Sequence, residues 1–257
     1  MGYIRAKDVV VDFPIYGGVS RSLKSTFLRA ATGGVLAKDA AERVFVRALD
    51  RVSFEFKEGD RVGLVGQNGS GKSTLLRVLA GTYEPVSGEL EIRGRVGAML
   101  NIWLGMDLEA TGRENIYLRG TIMGLRRRQI EHLIDEISEF TELDDYLHMP
   151  MRTYSSGMAM RLAFAVSTCV PADIILMDEW LSAGDSIFAE RAKDRLRRLL
   201  DKAKIMVLAS HDTTLISSVC NRVMTLDHGA VASMEDLPVE PDRVPAKVSI
   251  LSFQGER

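Results

Sequence analysis

The chain has 257 residues, enough for one large domain or for a core that carries one inserted subdomain. Apolar residues make up 46% and charged residues 26%, an ordinary globular composition, and a net charge of −2 excludes a polybasic chain built for nucleic acid. The apolar runs are too short to span a bilayer and the N-terminus Met1-Gly2-Tyr3-Ile4-Arg5 lacks an apolar signal region, so any membrane role is expected to go through a partner.

In chain order, residues 4–13 read as a strand, and Val52-Ser53-Phe54-Glu55-Phe56 alternates as a second one. The stretch 16–47 between them reads as irregular, apart from a short basic amphipathic helix at 22–31 that carries Leu23, Phe27 and Leu28 beside Arg21, Lys24 and Arg29. A turn at Glu58-Gly59-Asp60 leads into a buried strand at 61–65, then a helix at 74–80 capped by Gly81. Strands follow at 89–93 and 96–100, and the pattern turns helical from 112 to 140, with Arg126-Arg127-Arg128 as a solvated helix end. Residues 155–170 read as a helix, 173–177 as a buried strand, 186–200 as a charged amphipathic helix and 205–209 as another buried strand. Residues 222–226 pair with 230–232 through the turn Asp227-His228-Gly229. Beyond residue 236 a proline-containing tail is expected, with one further strand at 248–253. Cys169 and Cys220 lie far apart in apolar surroundings and read as small core residues rather than as a disulfide or metal pair. Strands alternating with helices predict an α/β fold with a mainly parallel sheet covered on both faces.

Gly66-Gln67-Asn68-Gly69-Ser70-Gly71-Lys72-Ser73 matches G-x-x-x-x-G-K-[ST], the phosphate-binding loop, and stands between a strand and a helix as that motif requires. The glycines let backbone amides curl around phosphate oxygens, and the helix N-terminus, from Thr74 on, adds partial positive charge. Lys72 is expected to reach the β- and γ-phosphates, and the Ser73 hydroxyl to sit on Mg²⁺. A second constellation, Ile174-Ile175-Leu176-Met177-Asp178-Glu179, is an apolar strand ending in two carboxylates. In an open α/β sheet that is where a carboxylate meets a phosphate-loop metal. Asp178 is expected to hold Mg²⁺, and Glu179 to polarise the attacking water as general base.

With these motifs in place, residues 3 to 235 resemble the ATP-binding-cassette ATPases. Tyr154-Ser155-Ser156-Gly157-Met158 resembles the family's signature motif, usually Leu-Ser-Gly-Gly-Gln; Ser155 and Gly157 keep the phosphate-contacting positions. Ser182-Ala183-Gly184-Asp185 resembles the loop that crosses the dimer interface, and His211 the switch histidine that contacts the γ-phosphate. The family's usual glutamine after the phosphate-loop helix is replaced here, with Asn101 near its place as a metal contact one methylene shorter. An aromatic upstream of the phosphate loop is expected to stack on adenine; Tyr16 and Phe45 both qualify, with Tyr16 preferred.

The resemblance implies a P-loop core with an N-terminal antiparallel β subdomain and a helical subdomain at about 101–170, all within residues 1–235, followed by a short tail at 236–257. The signature segment, Thr111-Gly112-Arg113-Glu114-Asn115-Ile116, the segment Glu179-Trp180-Leu181-Ser182-Ala183-Gly184-Asp185 and the insertion after the first strand are similar to a narrower group. That group comprises the ATPase subunits that export bacterial surface polysaccharides such as O-antigen, capsule and teichoic acid. Its long members carry a C-terminal carbohydrate-binding domain, which this chain is not expected to have. The group implies ATP and Mg²⁺ as cofactors and a homodimer with two ATP sites between the copies. It further implies an integral-membrane permease gripped by the 112–140 segment, no nucleic-acid partner, and a place on the cytoplasmic face of the inner membrane. A soluble cassette ATPase uncoupled from transport is the alternative of a different class. It usually carries coiled-coil or paired-cassette insertions, which do not occur here.

Overall fold

The structure, a computed structural model, describes residues 2–15, 35–38, 44–179 and 186–238. The expected helix at 22–31, the strand at 248–253, Tyr16 and the 182–185 loop with Asp185 lie outside these residues. The chain divides into two compact units, one built from residues up to Leu100 together with 173–179 and 203–238, the other from 101–172 and 186–202.

The first unit holds two sheets. In the antiparallel one, β1 (Tyr3–Pro14) lies between β3 (Val44–Lys57) and β5 (Ser87–Arg93), and β2 (Val35–Lys38) pairs with the outer edge of β3. β3 runs well upstream of the alternating Val52–Phe56 segment, and its register with β1 continues from Tyr3↔Lys57 to Pro14↔Phe45. Part of the stretch read as irregular is therefore strand. Phe45 and Val46 suit a pleated surface; each pairs on one side with β2, eight to ten residues away, and on the other with β1, some thirty residues away, where a local pattern carries no information. The second sheet has the order β10-β9-β4-β8-β7-β6, with β4 (Arg61–Val65), β6 (Val96–Met99), β7 (Ile174–Asp178), β8 (Ile205–Ala209) and β9 (Arg222–Asp227) parallel. β10 (Ala230–Asp236) turns back antiparallel as a hairpin on β9. β7 and β8 are almost continuously buried, as strands covered on both faces must be.

Helix α1 (Lys72–Leu79) packs Leu75, Leu76, Val78 and Leu79 into the core shared by both sheets. Each such side chain contributes about 1.5–3 kcal/mol on burial. Gly81, at φ +72°, ends the helix as its sequence predicts.

The second unit is helical: α2 (Gly112–Ile122), α3 (Arg127–Thr141), α4 (Ser156–Ser167) and α5 (Ser186–Lys202). Ile116, Ile130, Ile134, Ile137, Leu162 and Val166 form its core. Thr111 caps α2 with a full capping box: its hydroxyl accepts from the Glu114 amide at 3.2 Å, and Glu114 accepts from the Thr111 amide at 2.8 Å. Asn115, wholly buried, exchanges hydrogen bonds with the backbone of Asp107 and so folds the preceding loop onto the helix. Arg126, Arg127 and Arg128 are exposed at the start of α3. A further helix, α6 (Thr213–Val219) in the first unit, was not anticipated, although its cap is legible: Asp212 accepts from the amides of Thr214 and Leu215.

Candidate nucleotide site

The strand order decides which loops meet. β8 lies between β4 and β7, so the residues after it stand between the phosphate loop that follows β4 and the carboxylates that end β7. The three strand ends frame a cavity of ≈ 580 Å³. Asn68, Gly69, Gly71, Lys72, Ser73, Thr74, Asp178, Glu179 and His211 line it, so the first unit brings these predicted residues together.

Gly66 and Gly71 are glycines for a steric reason. Gly66 has φ +148°, and a β-carbon there would collide with the Leu226 carbonyl; Gly71 has φ +105°, and its β-carbon would fall 2.8 Å from the Ala48 oxygen. Both positions favour the left-handed backbone that only glycine adopts without strain. The loop wraps back on itself, with the Lys72 ammonium donating to the carbonyls of Gly66 at 2.7 Å and Gln67 at 3.0 Å. Burial pushes the Lys72 ammonium below its ordinary pKa, and the nearby Asp178 and Glu179 carboxylates act in the opposite direction. Ser70, buried in the same loop, has a hydroxyl oxygen without a hydrogen-bond partner. A glycine-rich loop and a buried cation at the cavity wall suit an anion with many acceptor oxygens; the Ser70 hydroxyl faces Gly66 and does not line the cavity.

Glu179 has φ +64°, an uncommon conformation for a glutamate, and its amide donates to the Ala209 carbonyl at 2.8 Å. That costs of order 1–3 kcal/mol, and such strain gathers at functional sites. It turns the side chain out of the strand at the cavity wall. Asp178 still pairs in register with Ala209. Ser73 and Asp178 supply oxygen donors to one cavity, the donor type a small hard cation takes beside phosphate oxygens.

Val46, Arg47, Ala48, Leu100, Ala209 and Ser210 also line the cavity and were not singled out from the sequence. Val46 to Ala48 reach it through the upstream part of β3. The Arg47 guanidinium is bidentate on Asp12, at 3.0 and 3.2 Å, and lies 5.5 Å from the Phe45 ring centroid. Phe45, one of the two candidates for adenine stacking, thus supports Arg47.

In the helical unit Ser155 caps α4, its hydroxyl accepting from the Met158 amide at 3.2 Å. Gly157 has open space around its α-carbon, with Ser155 Oγ the one neighbour a β-carbon would meet. Asn101 turns its carboxamide oxygen onto the Trp103 amide at 2.9 Å, tightening the loop after β6. Cys169 and Cys220 form no disulfide, and burial pushes their thiols up to about 11 and about 12.

Comparison with known proteins agrees with this geometry. A chain of Yersinia enterocolitica named O-antigen export system ATP-binding protein RfbE is 45% identical over 88% of this chain and 94% of its own length. One of Myxococcus xanthus named O-antigen export system ATP-binding protein RfbB is 39% identical over 90% of this chain and 53% of its own. One of Bacillus anthracis named Teichoic acids export ATP-binding protein TagH is 34% identical over 91% of this chain and 41% of its own. Among solved structures, the dimeric ATP-binding cassette MJ0796 in a post-hydrolysis state with ADP and Pi superposes with a TM-score of 0.64. It is 21% identical, and the match covers 92% of this chain and all of that one, a likeness of fold. The ABC transporter family model matches residues 49–182, from within β3 through the phosphate loop and the signature segment to just past the carboxylates, and the chain belongs to that family.

Proposed function

We propose that this chain is the ATP-hydrolysing subunit of a bacterial transporter that exports a lipid-linked surface polysaccharide, O-antigen-like or capsule, across the inner membrane. The observation that carries the reading is the cavity in which Lys72, Asp178, Glu179 and His211 converge. The nearly full-length likeness to an O-antigen export ATP-binding protein gives the cargo class. A teichoic-acid exporter is the second reading, favoured by the relatives that bear that name.

ATP would lie with its phosphates in the loop of Gly66, Gln67, Asn68, Gly69, Ser70, Gly71 and Lys72, and its base toward Val46 and Arg47. Ser73 and Asp178 would hold Mg²⁺, which when bound neutralises phosphate charge; Asn101, the expected further contact, does not line the cavity, and its carboxamide oxygen accepts from the Trp103 amide. Glu179, at the strained end of β7, takes the proton of the attacking water; His211, after β8, faces the terminal phosphate. Ser155 and Gly157 of a second copy would close over that phosphate through the α4 N-terminus. The permease would be held by the exposed apolar residues of the helical unit, among them Leu108, Leu118 and Ile122, beside the acidic Asp107, Glu109 and Glu114. A permease segment with an apolar face and basic flanks fits that surface, and it would keep this chain at the cytoplasmic face of the membrane. No helix among the described residues is long and apolar enough to cross a membrane, so the permease provides the path.

The test is Glu179→Gln, which keeps shape and removes the base. It should bind ATP like the unmodified chain and turn it over about 10²- to 10⁴-fold more slowly. Turnover at the unmodified rate would remove Glu179 as the base. The cargo is tested by deleting this chain's gene and looking for polysaccharide retained inside the inner membrane.

A further inference from the structure

Arg119, on α2, is 5% exposed and has no carboxylate among its hydrogen-bond partners. Its guanidinium donates to the Leu104 carbonyl, to the Asn101 carbonyl at 3.3 Å and to the Ser167 hydroxyl at 3.0 Å, while Nε is left without a partner. Desolvation pushes its pKa down, as burial does to any cation that lacks an opposite charge nearby. Such a cation is a poor way to stabilise a fold. A methionine would fill similar volume without the cost of removing a charge from water, and apolar replacements of buried ions are often neutral or stabilising.

What an apolar side chain could not supply is direction. The planar fork joins two separate segments. One is the loop that begins at Asn101, directly after the cavity residue Leu100, and carries the exposed Trp103 and Leu104. The other is the C-terminal turn of α4, whose N-terminal cap is Ser155. Ser167 passes the link on by donating to the Ala163 carbonyl at 2.6 Å, inside α4. The Asn101 carbonyl also accepts from the Leu104 amide at 3.2 Å, so the guanidinium seizes a loop that is already tightly turned. An Arg fork is pre-organised for several acceptors at once, which a lysine is not.

We propose that Arg119 is a positioning residue: it clamps the 101–104 loop to α4, so that the segment leading out of the nucleotide cavity and the helix that presents Ser155 shift as one body. The inference rests on the ATPase reading above. A shift of the loop imposed by nucleotide at one end, or by a partner on Trp103 and Leu104 at the other, is carried to Ser155 through one buried side chain. Loss of the clamp leaves each half able to bind but poorly aligned for turnover.

The experiment uses the full chain and compares Arg119→Met, Arg119→Lys, Ser167→Ala and the double Arg119→Met/Ser167→Ala. Arg119→Met should lower kcat about 10- to 100-fold, the scale of a misplacement of about 1 Å. KM for ATP should stay within about twofold, because the phosphate loop is untouched. Its Tm should shift by no more than about 4 °C. Arg119→Lys should recover only part of kcat. Ser167→Ala should lower kcat several-fold, and the double variant should lose no more than Arg119→Met alone, since both remove one linkage. In hydrogen exchange, the Trp103 and Leu104 amides should lose protection in Arg119→Met. Unmodified turnover in Ser167→Ala, or additive losses in the double variant, overturns the clamp whatever Arg119→Met does. An unmodified chain that hydrolyses no ATP would sink the function proposed above instead; unchanged exchange at Trp103 and Leu104 would then overturn the clamp independently.

Discussion

The Tyr154 hydroxyl lies directly over Gly112, so close that a β-carbon on the glycine would collide with it. The same hydroxyl donates to the Tyr146 carbonyl at 2.6 Å. Gly112 opens α2 and Tyr154 precedes Ser155. Two segments that separately resemble the polysaccharide exporters, Thr111-Gly112-Arg113-Glu114-Asn115 and Tyr154-Ser155-Ser156-Gly157, are thus halves of one contact. Gly112→Ala should cost about 1–3 kcal/mol through overpacking. Adding Tyr154→Phe, which removes the colliding oxygen, should restore part of that loss. Thermal melts of the two single variants and the double settle it; strictly additive losses would mean the contact is not what requires glycine.

Gly71→Ala places a β-carbon against the Ala48 oxygen and 2.9 Å from Leu49 Cδ2, at a φ of +105°. The strain is about 1–3 kcal/mol, and relieving it must move the loop. Binding of a fluorescent ATP analogue should fall by more than tenfold, as it should for Lys72→Ala, which removes the buried cation. Lys72→Ala has no such backbone strain, so only Gly71→Ala should also lower the melting temperature markedly. Equal melting temperatures for the two variants would contradict the steric reading of Gly71.

ATP should drive this chain to dimerise. Glu179→Gln with ATP and Mg²⁺ is the condition that accumulates the closed form, and light scattering reads its mass. Ser155→Arg should keep the mass monomeric while leaving nucleotide binding to the phosphate loop within about twofold, because α4 belongs to the other unit. A Ser155→Arg chain that dimerises as the parent does would argue against phosphate contact through the α4 N-terminus.

Leu108 and Leu118 are exposed apolar side chains of the helical unit. Exchanging both for serine should leave stability within about 0.5 kcal/mol per site, as for most surface changes. ATPase activity of the isolated chain should be unchanged and polysaccharide export in cells reduced. Unimpaired export would move the permease contact elsewhere.

The Glu114 carboxyl is held below the usual carboxylate range, first by the Thr111 amide and then by the Thr111 hydroxyl. A folded-state pKa below the unfolded value of about 4.3 adds stability at higher pH and loses it as pH falls through the folded pKa. The stability gap between the unmodified chain and Glu114→Gln should therefore be open at neutral pH and close in acid below about pH 4. Urea melts at several pH values measure it. A gap independent of pH would mean the carboxylate charge plays no part in the cap.

The sequence alone determined whatever a short window can encode. Gly66 to Ser73 specifies its loop because glycine conformations, a lysine and a helix start are all local. The apolar run ending in Asp178 and Glu179 specifies a covered strand with carboxylates at its end for the same reason, and Ser155 announces itself as a cap. Tertiary structure decided the rest. Only the strand order puts β8 between β4 and β7 and so brings His211 beside Lys72 and Glu179. Only the long pairing of β1 with β3 carries Arg47 to the cavity wall and fastens it to Asp12, thirty-five positions away. Arg119 reads from the sequence as one more charge on a helix. Its burial and its three acceptors arise because α2, the 101–104 loop and α4 converge on it, and a charge pattern along one helix holds no record of what the neighbouring segments present.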